Sequence, residues 1–347
     1  MITAQSLIDK TASLQALERA EAEFLMEELL SARIETPEIV RLLESLSLRP
    51  VTAHELSGFA SVIRHHAAPV FPAHEKRPEN MVDTCGTGGD ASGTFNISTA
   101  AAIVASAAGA RVAKHGNRAA SSNSGSADVL EALGVCIDRP LSHSGQSIRQ
   151  IGIGFLYAPT AHGAARHAAP ARKQIGKRTV FNLLGPLTNP AAAQAQVLGV
   201  FSPELIDLVA TALAELGVVR AFVLHGAGGL DEIALAGPTQ IAEVRNGSVR
   251  RFSVTPEDFG LSPAPLEALR GGTPAENAAM ILRIFRGEPG APRDIVVANA
   301  AAALVVTNTA SDLRSAAKMA SSVIRSGAAL EKLEALKLFS NRAGQPS

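Results

Sequence analysis

Three stretches of this 347-residue chain combine glycines, cations and carboxylates in spacings suited to gripping a polyanion. The first is Asp83-Thr84-Cys85-Gly86-Thr87-Gly88-Gly89-Asp90. Its glycines free the backbone to turn with positive φ and to present successive N–H groups, an anion nest able to hold phosphate or pyrophosphate oxygens. Asn96-Ile97-Ser98-Thr99 follows and reads as a helix opening, where unpaired N–H groups and the helix dipole favour phosphate. The second stretch, Lys114-His115-Gly116-Asn117-Arg118-Ala119-Ala120-Ser121-Ser122, runs on to Ser126. It follows one expected strand and precedes an expected helix, which is the carboxyl edge where open α/β sheets bind ligands. The third is Asp231-Glu232, after His225-Gly226-Ala227-Gly228-Gly229-Leu230. Two carboxylates on a strand-end loop can hold a hard cation, and neighbours on an extended backbone point apart, so the pair can serve two ions.

Single residues say less. Arg172, just after a helical-looking segment 164–169, offers a planar bidentate grip on a carboxylate. A surface arginine is the plainer account, as a tight turn is for a lone glycine loop. His115 and His162 fit structural histidines as well as reactive ones. Cys85 lies in the glycine loop, but no base is near it in sequence, so a nucleophilic cysteine is not expected.

The elements that must position these loops follow from periodicity. Residues 1 to about 78 read as three short amphipathic helices. The first carries Leu14, Leu17, Phe24, Leu25 and Leu29; the second, 37–48, puts Ile39, Leu42, Leu43 and Leu46 on one face; the third, 53–66, starts after Thr52 with Glu55 three residues on. A proline-rich linker is expected over 67–78. Strands are then expected at 81–84, 111–114, 196–200 and 221–225, alternating with helices at 98–108, 127–133 and 203–216, the pattern of a mostly parallel α/β sheet. Segments 240–244 and 249–254 flank Asn246-Gly247, a hairpin signal. Helices are expected at 275–286, 294–304 and 311–337.

Composition bounds the function. Apolar residues are 46% of the chain, and 32 basic groups balance 32 acidic ones, so no global field favours nucleic acid or an anionic membrane. Two cysteines cannot build a disulfide framework, which fits a reducing cytosol. Lys10, Glu18 and Arg19 break up any signal-like apolar run, and the greasiest stretches, 100–108 and 295–306, fall short of a membrane span.

Taken together, DTCGTGGD (83–90), NIST (96–99), KHGNRAASSNSGSADVLEALGV (114–135), RTVFNLLGPLTNP (178–190) and HGAGGLDEI (225–233) make the chain resemble the anthranilate phosphoribosyltransferases from roughly residue 21 to 327. KHGNRA with its serines is the most specific of these; GTGGD also suits the related nucleoside phosphorylases. The resemblance implies a small N-terminal helical domain, 1–78 completed by helices within about 163–192. It implies a large α/β domain, 79–162 and 193–347, with a mostly parallel central sheet of the nucleoside phosphorylase/phosphoribosyltransferase kind. It implies transfer of phosphoribose from phosphoribosyl pyrophosphate (PRPP) to anthranilate in tryptophan biosynthesis, with Mg2+, in a cytoplasmic homodimer, and no nucleic-acid or membrane partner.

By the same resemblance Gly86, Gly89, Asp90, Thr94, Asn96, Ile97, Ser98, Thr99, Lys114, His115, Gly116, Asn117, Arg118, Ala119, Ala120, Ser121, Ser122 and Ser126 line the PRPP site. Gly86, Asn117 and Arg172 meet anthranilate, and Ser98, Asp231 and Glu232 serve the metal; no acid, base or nucleophile is assigned. Ala161 stands before His162 where the family often has paired histidines, and the 31–36 turn lacks the usual glycine. The rival expectations are a pyrimidine nucleoside phosphorylase and a non-catalytic relative that binds nucleic acid.

Overall fold

The computed structural model describes residues 2–119 and 123–342. Seven strands form one sheet: β1 Met81–Gly86, β2 Arg111–Gly116, β3 Ile153–Tyr157, β4 Ala195–Gly199, β5 Arg220–Gly226, β6 Thr239–Arg245 and β7 Ser248–Val254. Their order is β3-β2-β1-β4-β5-β6-β7. The first five run parallel and the last two pairings are antiparallel. Asn246 (φ 49°) and Gly247 (φ 83°) both take the left-handed conformation that a two-residue hairpin turn needs.

The chain winds outward from β1 through β2 to β3, then returns to add β4 and β5 on the other side. β1 and β4 are therefore the switch point of the sheet, where the connections diverge and leave a crevice at the strand ends. One face of the sheet is covered by the helices Ile97–Ala107 and Ala291–Val306. Both are buried around nearly their whole circumference and are rich in alanine, and small side chains let them cross closely against each other.

The opposite face carries the helix Leu205–Glu215, whose apolar side merges with the N-terminal bundle into one continuous core. That bundle has four helices over residues 4–65, not three: Ala4–Ala12, Arg19–Leu30, Thr36–Ser47 and Ala53–His65. The expected first helix is broken at Leu14, which takes φ 60°, and the next begins with a Glu18–Glu21 capping box. Leu14 and Phe24 are exposed as a result. The helices Ala169–Ile175 and Phe181–Leu187 pack on Thr36–Ser47 and Ala53–His65 respectively. The 67–78 segment is irregular, yet Val70 and Phe71 are buried, and a Cβ on Gly145 would strike the Val70 carbonyl.

Two further differences from the sequence reading have simple causes. Residues 311–337 do not form one helix: Gly327 (φ 84°) ends Leu313–Arg325 and opens Ala328–Ser340. The helix Leu141–Ile151 and strand β3 were not expected, because IGFLY is too short an apolar run to show a period. Among the described residues no helix is long and apolar enough to cross a membrane.

Candidate active site

The glycine loop leaves the sheet at the switch point, where Gly86 of β1 pairs in register with Gly199 of β4. Neither position tolerates a side chain. A Cβ on Gly86 would meet the Asp231 carboxylate, and one on Gly199 would meet the Asp231 backbone. Gly88 (φ 66°) and Gly89 (φ 75°) then turn the chain in the left-handed region, as the nest expectation requires. Thr87 N–H donates to the Gly199 carbonyl at 2.9 Å, which closes the loop onto β4.

Asp231 and Glu232 reach this loop from the turn after β5. The Gly88 amide donates to Asp231 Oδ2 at 2.9 Å. At the neighbouring helix start, the Ser98 amide donates to Glu232 Oε1 at 3.0 Å. The two carboxylates thus point apart, to the nest and to the helix N-terminus. Asn299, buried in Ala291–Val306, fixes their backbone by accepting from Ile233 N–H at 2.9 Å and donating to the Ile233 carbonyl at 3.2 Å. Burial, reinforced by Asp90, pushes Asp231 up to about 7; burial and then Asp231 raise Glu232 well above the usual carboxylate range. Such uncompensated negative charge is what a hard cation would neutralise. No group of three or more His, Cys, Asp or Glu side chains gathers as a metal cage among the described residues. The donor set suits Mg2+, which keeps waters and takes one or two carboxylates together with substrate phosphates.

Lys114 supplies the buried cation. It is 4% exposed on β2, and its Nζ donates to the Thr84 carbonyl at 2.6 Å and to Ser98 Oγ at 3.3 Å. Burial lowers its pKa, opposed by Asp83, Cys85 and Glu232. His115, the next residue, falls on the opposite face by strand alternation. There its ring meets His162 edge-on at 5.1 Å. Burial drives His115 down to about 3 and His162 to about 4, so both imidazoles are neutral at pH 7.

The remaining expected residues fall into distinct groups. Asp90 receives the Ser92 amide at 3.2 Å and the Asp231 amide at 3.4 Å. Thr94 bridges to Arg270. Asn96 ties the two loops together: its Nδ2 donates to the Ser124 carbonyl at 3.0 Å, and its Oδ1 accepts from Ser124 Oγ at 3.1 Å and Asn277 Nδ2 at 3.0 Å. Ile97 and Thr99 are buried, and Thr99 Oγ1 has no partner among the described residues. Gly116 is held bare by Ser126 and Phe155, and Ser126 Oγ donates to the Asn117 carbonyl at 3.3 Å. Asn117 Oδ1 accepts from Arg118 N–H at 2.8 Å.

Arg118 is committed elsewhere: it pairs with Asp128 at 3.0 Å and Glu131 at 2.5 Å, which raise its pKa. Ala119 N–H donates to Asp128 at 2.9 Å. Ala120, Ser121 and Ser122 lie outside the described residues. Arg172 follows a 3-10 helix over Gly163–Ala168 and lies inside the next helix, Ala169–Ile175. Its guanidinium lies 5.1 Å from the centroid of the Phe181 ring.

Several further residues shape the site without having been assigned a role from the sequence. Asp83 is fully buried and accepts from His115 N–H at 3.1 Å, joining the first loop to the second; burial pushes it up to about 6, against Lys114. Arg64, from the bundle, donates to the Leu187 carbonyl at 2.7 Å and faces Asp83, with burial lowering it to about 10. Asp128 shapes the second loop by accepting from both Ala119 and Gly125 amides at 2.9 Å. Cys85 is half-buried, accepts from Gln196 Nε2 at 3.1 Å, and its thiol is raised by desolvation and Asp83, which removes it as a nucleophile.

A cleft with a glycine nest, a helix N-terminus, a buried lysine and two inward carboxylates matches known proteins over almost the whole chain. Residues 78–330 match the α/β domain of the "Glycosyl transferase family", and residues 5–67 match that family's helical bundle domain. Relatives named anthranilate phosphoribosyltransferase include one from Pelotomaculum thermopropionicum, 50% identical with 96% of each chain covered. Another, from Symbiobacterium thermophilum, is 47% identical over 97% of this chain and 98% of its own. The chain belongs to the anthranilate phosphoribosyltransferase family. The crystal structure of the Thermus thermophilus member superposes with a TM-score of 0.90 at 44% identity, covering 96% of this chain and 99% of that one. The Saccharomyces cerevisiae enzyme in complex with PRPP and Mg superposes at 0.86 with 28% identity, each chain covered to 97%.

Proposed function

We propose that this cleft carries out the family's reaction, moving the phosphoribosyl group of PRPP onto the amine of anthranilate and releasing pyrophosphate. The observation that carries the reading is the convergence of two backbone anion sites, at Gly88 and Ser98, with buried Lys114 and two inward carboxylates. The C1–O bond to pyrophosphate breaks, the C1–N bond forms, and the nitrogen then sheds a proton. Stabilising the departing pyrophosphate is the main demand, and preorganised N–H groups and cations meet it. Bound through Asp231, Glu232 and Ser98, Mg2+ supplies further charge neutralisation on the leaving group.

An aromatic amine is already neutral at pH 7, so no strong base is needed before attack. His115 and His162, both neutral at pH 7, are not needed as bases on this reading. Arg172 and Asn117 orient anthranilate, Arg172 by its carboxylate. We assign residues 1–78 with about 163–192 to the helical domain and the rest to the α/β domain, with the homodimer formed through the helical side and the enzyme working in the cytoplasm.

The test is anthranilate fluorescence. Signal should fall only when enzyme, PRPP and Mg2+ are all present, with each omitted in turn. Loss of fluorescence without PRPP, or phosphorolysis of thymidine or uridine instead, would sink the reading.

A further inference from the structure

Arg178 lies outside every group of residues assigned above. It sits between the helices Ala169–Ile175 and Phe181–Leu187, in the part of the chain that packs with the N-terminal bundle. Its guanidinium is held in a two-sided slot at the glycine loop. On one side Cζ lies 4.6 Å from the centroid of the Phe201 ring. On the other is Gly89, where an added Cβ would stand 2.9 Å from Nη2, 3.0 Å from Cζ and 3.2 Å from Nε. Nη2 also donates to the Gly89 carbonyl. Phe201 belongs to the same structure, since its N–H donates to Thr87 Oγ1 at 3.1 Å.

This arrangement fixes the guanidinium while leaving most of it unspent. Arginine has five N–H donors in one plane, and the Gly89 carbonyl is the acceptor seen for this side chain. No carboxylate pairs with Arg178 among the described residues, whereas Arg118 is held by two. The side chain is exposed. Stacking on an aromatic ring sets the plane of the fork and lowers the ordering cost of each new hydrogen bond. A rigid, exposed, unpaired cation flat against the second glycine of an anion nest is placed to receive phosphate oxygens. Lys114, by comparison, is buried and bonded to the Thr84 carbonyl and Ser98.

We propose that Arg178 is a further substrate-binding residue, the cation that grips the pyrophosphate moiety at the glycine loop, with Gly89 and Phe201 as the walls that aim it. The proposal rests on the PRPP reading above. It also explains why Gly89 must stay bare beyond its φ of 75°: any side chain would displace the guanidinium.

The test compares Arg178→Gln, Arg178→Lys and Phe201→Leu with wild type. Calorimetry measures binding of inorganic pyrophosphate with Mg2+, with ribose 5-phosphate as the control, and steady-state kinetics gives both KM values. Loss of one charge-assisted fork should weaken pyrophosphate binding and raise the PRPP KM about 10- to 100-fold in Arg178→Gln. Ribose 5-phosphate affinity and the anthranilate KM should stay within about threefold. Arg178→Lys should recover only part of the loss, because an ammonium cannot both stack and fork, and Phe201→Leu should fall between Arg178→Gln and wild type.

Unchanged pyrophosphate affinity in a folded Arg178→Gln protein overturns the assignment, as does an equal loss of ribose 5-phosphate binding. Absence of wild-type turnover with PRPP and anthranilate would instead overturn the underlying function. Full wild-type turnover with an unaltered PRPP KM in Arg178→Gln removes only Arg178.

Discussion

His162 should make the protein sensitive to mild acid in a way that one substitution removes. Neither of its ring nitrogens has a well-formed hydrogen bond among the described residues, and burial, opposed by the Thr188 backbone, holds its pKa at about 4. In the unfolded chain a histidine titrates near 6.5. The folded pKa is the depressed one, so the stability tied to neutral His162 is complete above about pH 6.5. It drains as pH falls and is fully lost near the folded value of about 4. At pH 5.5 the unfolded imidazole is some 90% protonated while the folded one is nearly all neutral, a difference on the order of 1 kcal/mol.

Other buried groups titrate in the same range: Asp83, at about 6, and Asp231, at about 7, gain stability as they protonate and oppose the histidine. The informative quantity is therefore a difference of differences. Urea unfolding of wild type and His162→Asn should be measured at pH 7.5 and 5.5. Lost packing against His115 shifts the variant equally at both pH values, whereas wild type should lose on the order of 1 kcal/mol more than the variant over the interval. His115 remains in both proteins and cancels. Equal pH dependence in the two proteins, or an NMR titration of His162 with a midpoint above pH 6, would refute the reasoning.

Other expectations follow from the site. Asp231→Asn and Glu232→Gln should each raise the Mg2+ needed for half-maximal rate at least about tenfold; an unaltered metal titration rejects their role. Arg172→Ala should raise the anthranilate KM about 10- to 100-fold and the PRPP KM far less; equal effects on both count against carboxylate recognition. Lys114→Met keeps the bulk but strands the Thr84 carbonyl and leaves Asp83 and Glu232 without their buried cation, so chemical denaturation should show a loss of about 3 kcal/mol. A stability change below about 0.5 kcal/mol would mean the lysine is not the counter-charge it is taken to be.

What the sequence made legible was whatever has a local cause. Glycine spacing announced the turn at Gly88–Gly89, strand–helix alternation announced β1, β2, β4 and β5, and Asn246-Gly247 announced the hairpin of β6 and β7. Loop chemistry was visible because cations and carboxylates sat beside glycines at strand ends. The hidden part depends on distant pairings. Asp83 reads as one more loop acid until β2 lies beside β1 and brings the His115 amide to it. Arg178 reads as a surface arginine until Phe201, 23 positions on, and Gly89 close around it. Arg118, conversely, reads as a free cation, and only the fold shows it shared between Asp128 and Glu131.

The acceptors on Gly88 and Ser98 have a thermodynamic consequence. Because Asp231 and Glu232 already satisfy these amides, the loop and helix start keep their shape without relying on a guest. On the proposed reading, a phosphate arriving at these amides would evict a tenant of its own sign, so each amide would trade one anionic partner for another and yield little net affinity. A cation that welcomes the evicted carboxylates would then add tightness, which would make sugar-phosphate capture and metal uptake a single linked equilibrium.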